Sequence, residues 1–237
     1  VSAATGIWGL VPAAGTGTRM KAALPKQYLP LLGRPVILHT LERLCGYARL
    51  QGVLVGISRD DVHWEKMRPV IFPRLMGTSE GGATRAATVL NALIVLAKTA
   101  REDDWVLVHD AVRPCIRHSD LDKLIDAVSA DGEGGLLAMP LTDTVKRADA
   151  EGRVIETVPR QNLWRALTPQ MFRLGSLRDA LKRALADGVE VTDEAAAMER
   201  VGARPKVIEG RADNIKITLP ADLVLAELYL KQQGPAP

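Results

Sequence analysis

The sequence predicts an α/β fold, a mainly parallel sheet flanked by helices, with one β-hairpin arm protruding from it. Three observations carry that prediction. Short apolar runs bounded by Gly, Pro or charge recur up to Pro140, helical patterns separate them, and the alternation breaks once, around a turn signal. Strand alternating with helix gives βαβ units, and apolar runs without polar interruption belong to strands buried on both faces.

The elements follow in chain order. "IWGLVPA" (Ile7 to Ala13), "GVLVGIS" (Gly52 to Ser58), "DWVLVHD" (Asp104 to Asp110) and "GGLLAMP" (Gly134 to Pro140) read as the strands. Val36 to Leu50, Asp60 to Met67, Ala83 to Lys98 and Ser119 to Ala130 read as helices, the last with Ser119 as N-cap. After Pro140, Thr/Val-rich segments flank "DAEG" (Asp149 to Gly152), the signature of a hairpin. A protruding hairpin needs cover, and a second copy of the chain in a two-fold dimer is the expected cover, the alternative being a flap packed on its own body. Helices return at Leu174 to Asp187 and Thr192 to Val201, the latter capped by Thr192 with Asp193 and Glu194 in its first turn. Strands at Lys206 to Glu209 and at "IKIT" (Ile215 to Thr218) and a helix from Pro220 complete the reading.

With 237 residues, 47% of them hydrophobic, the chain is long enough for one sizeable core. A single domain over 1–237 is expected, with the arm inserted at about 140–165. The 31 Lys+Arg against 28 Asp+Glu give a net charge of +3 that is spread along the sequence, which favours an anionic small ligand. Aromatics are 4% and never interleave with a basic run, so no nucleic-acid partner is expected. Cys45 and Cys115 are too few for a disulfide framework and lack metal-ligand spacing, which leaves buried free thiols. No signal-like start and no stretch of membrane-spanning length is found, so a soluble cytoplasmic protein without a membrane partner is expected.

The loop after the first strand, "PAAGTGTRMKAALPKQYLPL" (Pro12 to Leu31), carries the chemistry. Gly15 and Gly17 lack Cβ, so the backbone can bring successive N–H groups against a bulky anion such as a triphosphate. The loop is neither a P-loop, lacking Gly-Lys-Ser/Thr, nor a dinucleotide fingerprint, since Met20 stands at its third glycine. Arg19 and Lys26 add fixed positive charge suited to charge growing on phosphorus. Ligands of such sheets sit outside the carboxyl ends of the strands, which puts this loop and "HDAVRP" (His109 to Pro114) on one edge.

"PAAGTGTRM", "PKQYLPL", "VHDAVRP", "DTVKR", "LWRALTPQ", "VTDEA" and "GRADNIKIT" together resemble, in order and spacing, the 2-C-methyl-D-erythritol 4-phosphate cytidylyltransferases. The resemblance spans nearly the whole chain. It implies a Rossmann-like fold, a homodimer with embracing arms, and Mg²⁺-dependent transfer of CMP from CTP to a sugar-alcohol phosphate, with the ion held mainly by CTP phosphates. It assigns Arg19, Lys26 and Lys216 to catalysis, and Ala13, Ala14, Gly15, Thr16, Gly17, Gly82, Ala83 and Thr88 to CTP. Asp110, Arg113 and Thr192 would meet the sugar phosphate in one subunit, with Thr144, Arg160 and Thr168 supplied by the partner's arm. Family members commonly have serine where this chain has Thr88, and aspartate where it has Pro159. Ribitol 5-phosphate cytidylyltransferases share the glycine loop and an "HDAVRP"-like segment, and an inert nucleotide sensor could keep the fold. "DTVKR" and "LWRALTPQ" favour the first reading over ribitol phosphate, and the three cations favour catalysis over sensing.

Overall fold

In a computed structural model, residues 5–15, 24–67 and 72–234 are described. The chain opens with β1 (Ile7–Pro12), a 3-10 turn at Lys26–Tyr28, the two-residue strands β2 (Pro30–Leu31) and β3 (Arg34–Pro35), then α1 (Val36–Gly46) and β4 (Gly52–Ile57). Next come α2 (Val62–Met67), β5 (Leu75–Glu80), α3 (Arg85–Leu96), β6 (Trp105–Val108), α4 (His118–Asp131) and β7 (Gly135–Pro140). The hairpin strands β8 (Val145–Ala148) and β9 (Val154–Val158) precede β10 (Trp164–Arg173), α5 (Leu174–Ala186), α6 (Glu194–Arg200), β11 (Lys206–Glu209) and α7 (Pro220–Gln233).

Seven strands form the central sheet in the order β11-β7-β10-β6-β1-β4-β5, and only β10 runs antiparallel to its neighbours. The period-2 alternation of strands divides the core between the two faces. Val53, Val55 and Leu107 pack with Ile37 and Leu41 of α1 and Leu121 and Leu124 of α4. Leu10, Leu54, Val106 and Val108 pack with Val89 and Leu93 of α3 and Leu177 and Leu181 of α5. Both faces being covered explains the uninterrupted apolar runs. The two cysteines are buried free thiols, each pushed up to about 12 by burial.

The four expected strands are found with ends trimmed by one or two residues. The "DAEG" hairpin is found as well: β8 and β9 pair antiparallel in a separate two-stranded sheet. Its turn is closed by Arg153 N–H donating to the Asp149 carboxylate (2.8 Å), with Gly152 at φ +80°. Val154 and Ile155 on this hairpin are each 62% exposed.

Four expectations are corrected. Ser119 does not cap α4, which begins at His118 and has no side-chain cap. Thr192 does not cap α6: Asp193 does, its carboxylate accepting from Ala196 N–H at 2.9 Å. "IKIT" is not a strand but an irregular segment fastened by Ile217 N–H to Val112 O (2.9 Å). "LWRALTPQ" belongs to the ten-residue strand β10, which pairs with both β6 and β7 in the body rather than forming part of the arm. The edge strand β5 was not anticipated, because "LMGTSE" has neither an apolar run nor clean alternation. Among the described residues no helix is long and apolar enough to cross a membrane.

Candidate nucleotide-binding cleft

A cleft of about 310 Å³ opens at the carboxyl ends of β1, β5 and β6. It gathers Ala13, Ala14 and Gly15 from the loop after β1, Lys26 and Gln27 from the 3-10 turn, and Gly82, Ala83, Thr84, Arg85 and Thr88 from the start of α3. Asp110 to Val112 after β6, with Lys216 and Thr218 before α7, close it. Gly81 permits the approach of two of these loops, since a Cβ there would fall 2.3 Å from the Ala14 Cβ. Thr84 caps α3 by accepting from Ala87 N–H. The Thr88 hydroxyl accepts from Gly82 N–H (3.1 Å) and donates to Thr84 O (3.0 Å). Its methyl group rests where a Cβ on Gly56 would meet it at 2.7 Å, so the extra carbon relative to serine fills space over β4.

A chain of buried charges runs behind the cleft. Glu194, fully buried, accepts two bonds from the Arg85 guanidinium, at 2.7 and 3.1 Å. Arg85 Nε donates to Asp110 Oδ1 (3.1 Å), while Lys216 Nζ lies 2.9 Å and Arg113 Nε 3.4 Å from Asp110 Oδ2. Burial alone would raise the Asp110 carboxyl, but Arg85, Lys216 and Arg113 outweigh it and hold the group well below the usual carboxylate range. Glu194 is pushed up by burial, with Arg85 opposing. Gln170 of β10 fixes the start of α6, and with it Glu194, by donating to Asp193 (2.9 Å) and accepting from Ala195 N–H (2.8 Å).

His109 is the hub beneath Asp110. A carbonyl can only accept, so Nε2 donates to Arg113 O at 3.0 Å, and neutral Nδ1 accepts a hydrogen bond from the Thr168 hydroxyl, also at 3.0 Å. Burial lowers the ring to about 4. The Thr168 oxygen also accepts from Asp110 N–H (3.1 Å), and Asn214 joins the same group by donating to Thr168 O (2.7 Å). Arg113 Nη1 donates to Asn214 O (2.8 Å), which ties the segment leading to Lys216 against the loop after β6. Lys26 Nζ reaches Ile217 O at 3.3 Å, a contact between positions 191 apart in sequence.

Of the residues the sequence singled out, Ala13, Ala14, Gly15, Lys26, Gly82, Ala83, Thr88, Asp110 and Lys216 line this one cleft. Thr16, Gly17 and Arg19 lie outside the described residues. Arg113 is buried behind Asp110 rather than lining the cleft. Thr168 is a correction: it stands in β10 with its hydroxyl engaged inside its own chain, so a partner's arm cannot deliver it. Thr144 and Arg160 lie exposed at the foot of the hairpin, Arg160 donating to Thr142 O, and Thr192 is exposed just before α6. Arg85 and Glu194 were missed as site residues, although Arg85 lies between Ala83 and Thr88 and Glu194 lies inside "VTDEA". Among the described residues no three His, Cys, Asp or Glu side chains cluster as a metal site.

The family model described as IspD, 2-C-methyl-D-erythritol 4-phosphate cytidylyltransferase, matches residues 7–232. A relative of that name from Pseudomonas putida is 52% identical over 217 residues, covering 91% of this chain and 92% of its own. Another, from Vibrio vulnificus, is 47% identical over 229 residues, covering 97% and 96%. A crystal structure of a 4-diphosphocytidyl-2C-methyl-D-erythritol synthase superposes with a TM-score of 0.83 at 37% identity, covering 95% of this chain and 98% of that one.

Proposed function

The chain belongs to the 2-C-methyl-D-erythritol 4-phosphate cytidylyltransferase family, and we propose that the cleft between Gly15 and Lys216 is where it performs that family's reaction. The enzyme is a nucleotidyltransferase of isoprenoid precursor biosynthesis, moving CMP from CTP to 2-C-methyl-D-erythritol 4-phosphate with release of pyrophosphate. A phosphate oxygen of the acceptor attacks the α-phosphorus of CTP. It is anionic at neutral pH, so no general base is needed, and the obstacle is repulsion and charge growing on the phosphoryl oxygens.

One observation carries the assignment of roles: Lys26 and Lys216, from opposite ends of the chain, line the same cleft as the glycine loop. Fixed ammonium groups there stabilise the accumulating charge. Arg19 is proposed as the third cation on the strength of its place in the glycine loop. Gly82, Ala83 and Thr88 are proposed to meet cytosine, a ring small enough for backbone and one hydroxyl to select. Asp110 would accept from hydroxyls of the acceptor, and Arg113 would act through Asp110, which it contacts. Asp110 is the one carboxylate among the described lining residues, and its oxygens are engaged by cations. That donor set suits a Mg²⁺ carried mainly by CTP phosphates and water, where the ion neutralises phosphate charge. A homodimer joined by the hairpins is proposed from the exposed Val154 and Ile155, with Thr144 and Arg160 reaching the partner's site.

Pyrophosphate release measured with CTP, UTP, ATP and GTP against methylerythritol phosphate and ribitol 5-phosphate tests the assignment. CTP with methylerythritol phosphate should dominate, and Lys26→Ala or Lys216→Ala should lower turnover by about 10²–10³-fold with the fold intact. Preference for ribitol phosphate, or near-normal turnover in both variants, would overturn it.

A further inference from the structure

The loop after β1 is held through its carbonyl oxygens. Gln27 Nε2 donates to Ala13 O at 2.7 Å and to Gly15 O at 3.0 Å, and Ser58 Oγ donates to Ala14 O at 3.1 Å. Three successive carbonyls thus have side-chain donors, and Gln27, only 4% exposed, gives both amide hydrogens to this loop. In a trans peptide the N–H points opposite to the carbonyl in its plane. The Ala14 N–H is therefore turned away from Gln27, and the Gly15 N–H away from Ser58. Both residues line the cleft, yet neither N–H donates to another described residue, and Gly15 has open space where a Cβ would stand. Successive bare N–H groups form an anion-binding concavity.

We infer that Gln27, assisted by Ser58, is the positioning residue that presents the Ala14 and Gly15 N–H groups to the phosphates of the nucleotide. The inference rests on the nucleotide reading given above. It also explains a pairing within "PKQY". Lys26 supplies charge to the cleft, and its neighbour Gln27 shapes the backbone that faces that charge.

The test separates phosphate recognition from general stability by titrating the full chain with CTP and with cytidine, which lacks phosphates. Gln27→Leu keeps the volume and cannot donate, whereas a glutamate would repel phosphate whatever the loop does. The dissociation constant for CTP should rise about 10- to 100-fold and that for cytidine by less than about 3-fold, with KM for CTP rising more than kcat falls. Ser58→Ala should show the same selectivity at about 3- to 10-fold, and it carries the test should Gln27→Leu fail to fold. Equal weakening of both ligands, or of neither, would overturn the inference. A wild-type chain that bound cytidine as tightly as CTP would instead overturn the nucleotide reading itself, before any variant is compared.

Discussion

Replacing Arg85 by methionine strands a carboxylate. Glu194 is fully buried, and Arg85 is the cation bonded to it among the described residues, so the variant must either bury an unpaired charge or take up a proton. Removing one partner of a buried pair costs about 3–5 kcal/mol. Protonation caps that cost. Bringing a carboxyl of ordinary pKa 4.5 to its neutral form at pH 7 costs 2.5 units at 1.36 kcal/mol each, about 3.4 kcal/mol. Arg85→Met should therefore be destabilised by roughly 3 kcal/mol at pH 7. The sign follows from losing the cation that opposes burial: the carboxyl, already raised, rises further, so folding takes up a proton, stability is greatest below pH 4.5 and it is lost as pH rises toward the folded-state value. The deficit relative to wild type should grow by up to about 1.4 kcal/mol per pH unit. Urea denaturation at fixed protein concentration, at pH 6, 7 and 8, measures it. Adding Glu194→Gln should abolish the slope and recover part of the stability, because the stranded charge is gone. A deficit independent of pH, or a double variant that keeps the slope, would refute the buried-pair argument.

Two further outcomes follow from the same neighbourhood. His109 is neutral in the fold and lowered to about 4, so its contribution is complete above pH 6.5 and is lost as pH falls from 6.5 toward 4, by about 3 kcal/mol in all. The acid limb of stability in wild type should flatten over that window in His109→Gln, once the lower baseline of the variant is subtracted, and an unchanged limb would place the acid sensitivity elsewhere. At Thr88, Thr88→Val should lose the bonds to Gly82 and Thr84 and raise KM for CTP about 5- to 50-fold, whereas Thr88→Ser should keep KM within about 3-fold and cost about 1 kcal/mol for the void over Gly56. Equal KM values for the two variants would remove the hydroxyl from the argument.

The sheet was legible because its strands are buried on both faces, which leaves apolar runs such as "WVLV" that no other context explains. Edge strand β5 and the antiparallel β10 were not, since one is half-exposed and the other changes surroundings along its length, from solvent at Trp164 to the core at Phe172. Caps failed where two candidates stood side by side: Thr192 and Asp193 both suit the position, and only the backbone decides between them. The cleft was legible where function leaves a composition, glycines and lysines in a short loop. Arg85 and Glu194 escaped because an arginine and a glutamate near the starts of two helices are ordinary surface residues in a linear reading. Their meaning comes from the packing of α3 against α5 and of α5 against α6, which lets Arg85 reach both Asp110 and Glu194.

That packing also resolves an apparent conflict at Asp110. The lysine proposed to meet phosphate is bonded at 2.9 Å to a carboxylate, which would compete with the ligand for its charge. Were Lys216 the carboxylate's one partner, releasing it would leave a buried anion unpaired, and the competition would be costly. Arg85 and Arg113 remove that cost, because Asp110 keeps two guanidinium partners when the ammonium turns away. Glu194 in turn neutralises Arg85, which on the proposed reading leaves the lysines as the cations that meet phosphate. Lys216, at 37% side-chain exposure against 8% for Asp110, is the member of the cluster that can exchange partners while the pairs behind it stay fixed.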